Sequence, residues 1–193
     1  AGVHALGQVA NFKTNSQIPI EKFAIAINSR LKKSIVIKKA EEVDERFHSR
    51  LNCKRKTYRY IINNSPYGTA IYRYLETHIP QKLNVEKMKK AVKYFIGEHD
   101  FKAFKASGTS SKSSVRTIYD AKIYQNGDKI YIELTGNGFL YNMVRIIAGT
   151  LVEVGLEKIE PEKIEEIIKE GKRENAGKTL PPNGLYLVDV KYE

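Results

Sequence analysis

Apolar residues recur along the chain at helical spacings in several places. After Pro19 they stand at i, i+3, i+4 and i+7, which predicts a short amphipathic helix that the proline starts. A second stripe predicts a helix that Asn84 caps and Gly97 ends. A largely buried helix is predicted from Phe139 to Gly155, and another from Glu162 to Glu170. The sequence therefore predicts four helices, distributed along the chain.

Alternation of side chains predicts strands between these helices. From Lys56 to Ile62, Tyr58 and Tyr60 share one side of the strand and Arg59 faces the other. An Asn-Gly pair at Asn126 joins two alternating runs and predicts a hairpin. The predicted strands besides Lys56–Ile62 lie in residues 6–12, 34–39, 115–124, 129–135 and 185–192. Strands paired by hairpins and interleaved with helices indicate an α+β fold, with a mostly antiparallel sheet flanked by helices.

Turn-forming residues mark two connections that bear on organisation. Those from Asn63 to Gly68 follow the long strand and predict a boundary between two halves of the chain, residues 1–62 and 63–193. Residues 105–114 are rich in Ser, Gly and Lys and predict a mobile loop that faces a partner.

The charge of the chain indicates a polyanionic partner. Lys and Arg number 33 against 22 Asp and Glu, a net charge of +11. Residues 46–75 and 101–119 contain no acidic residue, so positive charge is concentrated there. Nucleic acid is the leading candidate, since Tyr58 and Tyr60 stand among the cations and could stack on bases. A basic surface that only maintains solubility is the alternative.

Cysteine, histidine and hydropathy exclude several classes of site. The single cysteine, Cys53, cannot form an intrachain disulfide and fits a reducing compartment. The four histidines share no metal-ligand spacing with one another or with Cys53, so no metal site is expected. No apolar run approaches the roughly 18 residues that span a bilayer. A cytoplasmic protein without a membrane partner is predicted.

Two side chains stand out as candidates for chemistry. Arg145 lies within an otherwise apolar helix, where a guanidinium needs a carboxylate or phosphate partner. It could instead extend to the surface along its aliphatic stem. Tyr58 lies on a strand among cations, where its ring could stack on a base or simply pack in the sheet. The residues alone leave both alternatives open.

Several segments, in this order, together resemble bacterial tRNA pseudouridine synthases of the TruA family. The similarity extends over essentially the whole chain, and the combination is far more specific than any one segment. The segments are Ala1-Gly2-Val3-His4-Ala5, Phe47-His48-Ser49-Arg50, Lys56-Thr57-Tyr58-Arg59-Tyr60, His99-Asp100-Phe101, residues 138–145 (GFLYNMVR) and Gly184-Leu185-Tyr186-Leu187.

The resemblance implies an enzyme that isomerises uridines 38 to 40 of the tRNA anticodon stem-loop to pseudouridine, without cofactor or metal. It implies two ferredoxin-like (RRM-like) halves that share an antiparallel sheet, the first half being incomplete here. A basic cleft between the halves and a homodimer that binds tRNA are also implied. A non-catalytic tRNA-binding module is the alternative function.

The resemblance also assigns roles to individual residues. Tyr58 would stack on the target uracil, Leu185 would line the uracil pocket, and Arg145 would pair with the catalytic carboxylate. The stretch Gly2-Val3-His4 would belong to the active-site loop at the substrate. The residues expected to hold RNA phosphates are Arg50, Lys54, Arg55, Lys105 and Lys112.

One part of the family pattern does not occur in this sequence. The family places Arg-Thr-Asp directly before Ala-Gly-Val-His, and its Asp is the catalytic carboxylate, whereas this sequence begins at Ala1. No other aspartate falls in that pattern. The 193-residue chain is therefore expected to be inactive by itself, with the nucleophile immediately before Ala1.

Overall fold

The computed structural model describes residues 2–108 and 113–192. The chain divides into two compact units, one formed by Ala1–Gln8 with Cys53–Glu193 and the other by Val9–Asn52. The larger unit contains the sheet and most of the helices. The predicted boundary between residues 62 and 63 concerns the two halves of the family fold and stays a prediction.

The larger unit is built on a seven-stranded, mostly antiparallel sheet. The strands are β1 (His4–Ala5), β2 (Arg55–Asn63), β3 (Thr77–His78), β4 (Gly97–Asp100), β5 (Val115–Asn126), β6 (Lys129–Gly136) and β7 (Leu185–Lys191). Their order is β1-β7-β2-β6-β5-β4, and β3 pairs with the end of β2 beyond β7. Only the short strands β1 and β3 pair in parallel, with β7 and β2 respectively. The predicted α+β class with a mostly antiparallel sheet is therefore confirmed.

Helices cover one face of this sheet. They are α2 (Val85–Val92), α3 (Met143–Gly155) and α4 (Lys163–Glu170). Tyr60 and Ile62 of β2 are fully buried in the same hydrophobic core as Met88 of α2 and Ile146 of α3. The alternation of β2 thus directs its aromatic side towards the helices, as predicted.

The smaller unit contains α1 (Ile20–Asn28), which confirms the helix predicted after Pro19. The strand predicted at residues 34–39 is wrong: the segment pairs with no strand, and the Asn28 side chain hydrogen-bonds the backbone N–H and C=O of Ile37. Val36 is exposed there, so the apolar run has no buried face that would fix a strand.

Three other sequence predictions need correction. The opening strand is His4–Ala5 and not residues 6–12. Helix α3 begins at Met143, because Asn142 adopts left-handed backbone angles (φ 60°, ψ 7°) and the helix cannot extend back to Phe139. Gly97 does not follow a continuous helix: α2 ends at Val92, a short 3-10 turn follows, and Gly97 opens β4 at φ 114°. The hairpin of β5 and β6 is confirmed.

The connection from α4 to β7 packs directly on α3. Gly177 N–H donates to Thr150 Oγ1 at 2.8 Å, and Leu180 N–H donates to the Arg145 carbonyl at 3.3 Å. Gly149 permits this approach, since a Cβ there would lie 1.9 Å from the Lys178 carbonyl oxygen. These contacts bring Leu180, in the segment before β7, next to the first turn of α3, where the candidate site lies.

Candidate active site

Arg145 projects from the first turn of α3 towards the segment that precedes β7. Its Nε donates to the Leu180 carbonyl at 2.6 Å, and its Nη1 donates to Asn142 Oδ1 at 2.8 Å. The side chain is half-buried, and among the described residues no carboxylate pairs with it. A partly desolvated guanidinium held by neutral acceptors retains its full charge, so the site is suited to an anionic group.

Tyr58 lies on the helix-covered face of β2, opposite Leu134 of β6 and Leu187 of β7. Its ring packs edge-on against Phe139, with 5.1 Å between ring centroids. Burial, with a smaller electrostatic effect from Cys53, raises the pKa of the Tyr58 phenol. The phenol is therefore neutral at pH 7 and can donate a hydrogen bond.

Tyr60 is fully buried, which corrects the expectation that it could stack on a base. Its hydroxyl donates to the Pro181 carbonyl at 2.6 Å and shares a 2.6 Å hydrogen bond with Thr77 Oγ1. Tyr60 thus holds the same Leu180–Pro181 segment that Arg145 holds from α3. Leu185, opposite Tyr60 in the sheet, is buried in the adjoining core. The structure therefore places Arg145 and Tyr60 on the Leu180–Pro181 segment, with Leu185 opposite Tyr60 in the sheet, and Tyr58 lies on the same face of β2 as Tyr60.

Gly2, Val3 and His4 approach this connection from the edge of the sheet. Gly2 has φ 98°, and a Cβ there would lie 2.9 Å from Pro182 Cγ, so glycine is needed on both counts. Val3 is exposed. His4 pairs with Tyr186, stacks on its ring and hydrogen-bonds the Tyr74 carbonyl at 2.8 Å. Because Leu185 faces the core, the alternate residue Tyr186 and the stacked imidazole lie on the other face of the sheet.

The structure places the predicted phosphate-binding residues in several locations. Arg50 is exposed in the smaller unit. Lys54 and Arg55 are exposed at the start of β2, where the Arg55 guanidinium lies over the Tyr119 ring at 4.7 Å. Lys105 precedes Ala106, whose N–H donates to the Tyr141 carbonyl at 3.2 Å, next to the start of α3. Lys112 lies outside the described residues.

The opposite face of the sheet carries a separate polar cluster centred on Glu133. Its carboxylate accepts from Arg59 Nε at 2.6 Å and Tyr124 Oη at 3.0 Å, and it lies 3.3 Å from Lys122 Nζ. Burial disfavours the charged carboxylate, but these hydrogen bonds outweigh burial and lower the pKa of Glu133. The Glu133 carboxylate is thus already paired with neighbouring side chains, on the face of the sheet away from Arg145.

Sequence patterns missed two residues that shape the site. Asn142 binds the Arg145 guanidinium, and Phe139 supports the Tyr58 ring. The sequence pattern places both in the helix predicted from Phe139 to Gly155. The residue type of Asn142 could have indicated that it lies outside the helix, because Asn adopts the left-handed region far more readily than most residues.

The described residues contain no cluster of His, Cys, Asp and Glu that could hold a metal ion. None of their helices combines the length and apolar character that crossing a membrane requires. The described residues provide the Tyr58 ring on β2, the Leu185 side chain on β7 and the Arg145 guanidinium on α3. Such a set can hold a flat, partly polar ring beside an anion.

Comparisons with known proteins identify close relatives. Residues 91–193 match a family model described as tRNA pseudouridine synthase. A tRNA pseudouridine synthase A of Acetivibrio thermocellus is 52% identical over 191 residues, covering 99% of this chain and 78% of the relative. A protein of the same name from Ruminiclostridium cellulolyticum is 54% identical over 192 residues, with the same coverage.

Proposed function

Because the chain belongs to the tRNA pseudouridine synthase A family, we propose that it isomerises uridines 38 to 40 of the tRNA anticodon stem-loop to pseudouridine. The observation that carries this proposal is the half-buried Arg145 guanidinium, which has no carboxylate partner among the described residues. The reaction is an isomerisation, so its atoms balance without a co-reactant.

The proposed reaction needs the target uridine outside the base stack. Tyr58 stacks on the flipped uracil and Leu185 forms the wall of its pocket. The glycosidic bond to nitrogen then breaks, the uracil rotates, and a bond to carbon forms in its place. Tyr58 suits this role because its phenol is neutral and its ring is supported by Phe139.

We further propose that an aspartate directly before Ala1, as in the Arg-Thr-Asp of the family pattern, supplies the catalytic carboxylate that Arg145 binds. Gly2, Val3 and His4 would then continue the active-site loop. The tight contact of Gly2 with Pro182 supports this, since it brings the beginning of the chain to the Arg145 segment. The aspartate could attack the sugar, attack the base or abstract a proton.

The remaining parts of the proposal concern the wider molecule. Phosphates of the tRNA would contact Arg50, Lys54, Arg55, Lys105 and Lys112. The chain would act in the cytoplasm as a homodimer, with residues 1–62 and 63–193 belonging to two ferredoxin-like halves. The net charge of +11 and the acid-free stretches support an RNA partner.

Release of tritium from tRNA labelled at uracil C5 tests this function, because C5 loses its hydrogen when it bonds to the sugar. We expect release by the chain preceded by Arg-Thr-Asp and none by the 193-residue chain or by the chain preceded by Arg-Thr-Asn. Binding of tRNA without release by all three would support the alternative, a non-catalytic tRNA-binding module. Release by the 193-residue chain would contradict the assignment of the carboxylate.

A further inference from the structure

Asn142 occupies the N-cap position of α3 but does not cap the helix with its side chain. Its backbone carbonyl accepts the Ile146 N–H at 3.0 Å, as an N-cap carbonyl does. Its side-chain oxygen accepts no backbone N–H and instead accepts Arg145 Nη1 at 2.8 Å. The residue thus gives up the usual contribution of an N-cap asparagine and directs its amide at the guanidinium.

The backbone of Asn142 is also unusual. Among the non-glycine residues that the structure describes, only Asn142 and Glu157 have positive φ, and both are at 60°. This conformation is unfavourable for a residue with a Cβ, although asparagine tolerates it better than most. Glycine would adopt it more easily, so the backbone alone does not account for asparagine here.

The guanidinium is held from two sides. Leu180 O accepts Nε at 2.6 Å and Asn142 Oδ1 accepts Nη1 at 2.8 Å, and two such bonds fix the plane of the group. Among the described residues, the two Nη2 hydrogens and the second Nη1 hydrogen have no acceptor. These three donors are left for a carboxylate.

We propose that Asn142 is a positioning residue that fixes the Arg145 guanidinium so that its free donors face the reacting carboxylate. This inference rests on the proposed function, since it assigns Asn142 to the same site. Asn142 acts through Arg145 and does not itself touch the substrate.

The variant Asn142→Gly separates this role from a purely conformational one, because glycine keeps φ 60° without strain and removes only the acceptor. We expect kcat for tRNA, in the chain preceded by Arg-Thr-Asp, to fall about tenfold, as for the loss of a hydrogen bond to a charged group. We expect KM to stay within about twofold, because ground-state binding does not use this contact. The melting temperature should change little, because relief of the strain at φ 60° offsets the lost hydrogen bond and the greater flexibility of glycine in the unfolded chain.

Glu157→Gly is the matched control, since Glu157 has the same φ at the other end of α3 and no contact with Arg145. Its kcat should equal that of the unaltered enzyme. An Asn142→Gly variant with unaltered kcat, or one whose kcat falls together with its melting temperature, would overturn the proposal.

A second measurement does not depend on turnover. In nitrogen-15 spectra, restrained rotation about the Cζ–Nε bond should give separate Nη signals for Arg145, and these should average in Asn142→Gly but not in Glu157→Gly. Unchanged separate signals in Asn142→Gly would also overturn the proposal. An unaltered enzyme that is inactive would count against the proposed function, and the spectra would still decide the role of Asn142.

Discussion

Arg145 connects the packing of the molecule with the proposed chemistry. It is the basic residue of a helix whose other positions are almost all buried, and its guanidinium bonds to one backbone carbonyl and one side-chain amide. These neutral acceptors offset part of the free-energy cost of desolvating the guanidinium, but they do not neutralise its positive charge. A site of this kind stabilises a carboxylate more strongly than exposed lysines could, because the local dielectric is lower.

The variant Arg145→Lys tests this role at the residue scale. Lysine keeps the charge but loses the planar fork, so we expect kcat to fall by about a hundredfold or more while the Kd for tRNA stays within about threefold. Single-turnover kinetics and filter binding measure the two quantities. Arg173→Lys is the control, because Arg173 also donates to backbone carbonyls of this connection, at 3.0 Å for Gly177 O. Equal losses of kcat in both variants would assign Arg145 to folding.

At the scale of elements, the site depends on how closely the connection before β7 approaches α3. Gly149, Gly177 and Thr150 allow two backbones to meet where side chains would normally separate them. Arg145 and Tyr60 then fasten Leu180 and Pro181 from the helix and from the sheet. The position of the guanidinium relative to the Leu180–Pro181 segment is therefore set by close backbone packing.

Gly149→Ala tests that contact. Alanine is normally more stable than glycine within a helix. At this position, however, its Cβ would lie 1.9 Å from the Lys178 carbonyl oxygen. We expect the free energy of unfolding to fall by about 3 kcal/mol, measured by urea denaturation. Gly138→Ala is the control, because its Cβ would lie 3.6 Å from Arg116 Nε and should change stability by less than about 1 kcal/mol. An unchanged midpoint for Gly149→Ala would contradict the close packing.

The sequence predicted elements wherever local pattern and burial agree. The alternation of β2 and the Asn-Gly hairpin are local signals, and both are confirmed. The prediction of a strand at residues 34–39 is wrong because a strand needs a neighbouring strand to pair with, and hydrophobic periodicity does not show whether one is present. The site was predictable only in part: periodicity singled out Arg145 as an unpartnered cation, whereas its bonds to Asn142 and Leu180 depend on backbone conformation and distant packing.

At the scale of the whole molecule, the sheet separates two environments. One face carries the core with Tyr58, Leu185 and Arg145, and the other carries the stacked rings of His4 and Tyr186 and the cluster of Glu133, Arg59, Lys122 and Tyr124. The cluster cross-links β2, β5 and β6 through charge, so it contributes stability that depends on pH.

Glu133→Gln measures that contribution. The pKa of Glu133 is lowered by folding, so its stabilisation is fully present above the unfolded pKa of about 4.3 and is lost as pH falls through the lower folded value. At pH 7 the variant should be less stable by about 1–2 kcal/mol, and the difference should shrink steadily below about pH 4. Glu86→Gln, which removes an exposed pair with Lys89, should have no such effect. A difference that is constant with pH would contradict the ionised cluster.

Mapping of pseudouridine at every uridine of an unmodified tRNA transcript tests whether the chain modifies the anticodon stem-loop through Arg145. The transcript would carry uridine at positions 38, 39 and 40 and be incubated with the chain preceded by Arg-Thr-Asp. We expect pseudouridine within positions 38 to 40, formed about a hundredfold or more slowly when Arg145 is replaced by lysine. Pseudouridine only in other arms of the tRNA, or at no position, would contradict it.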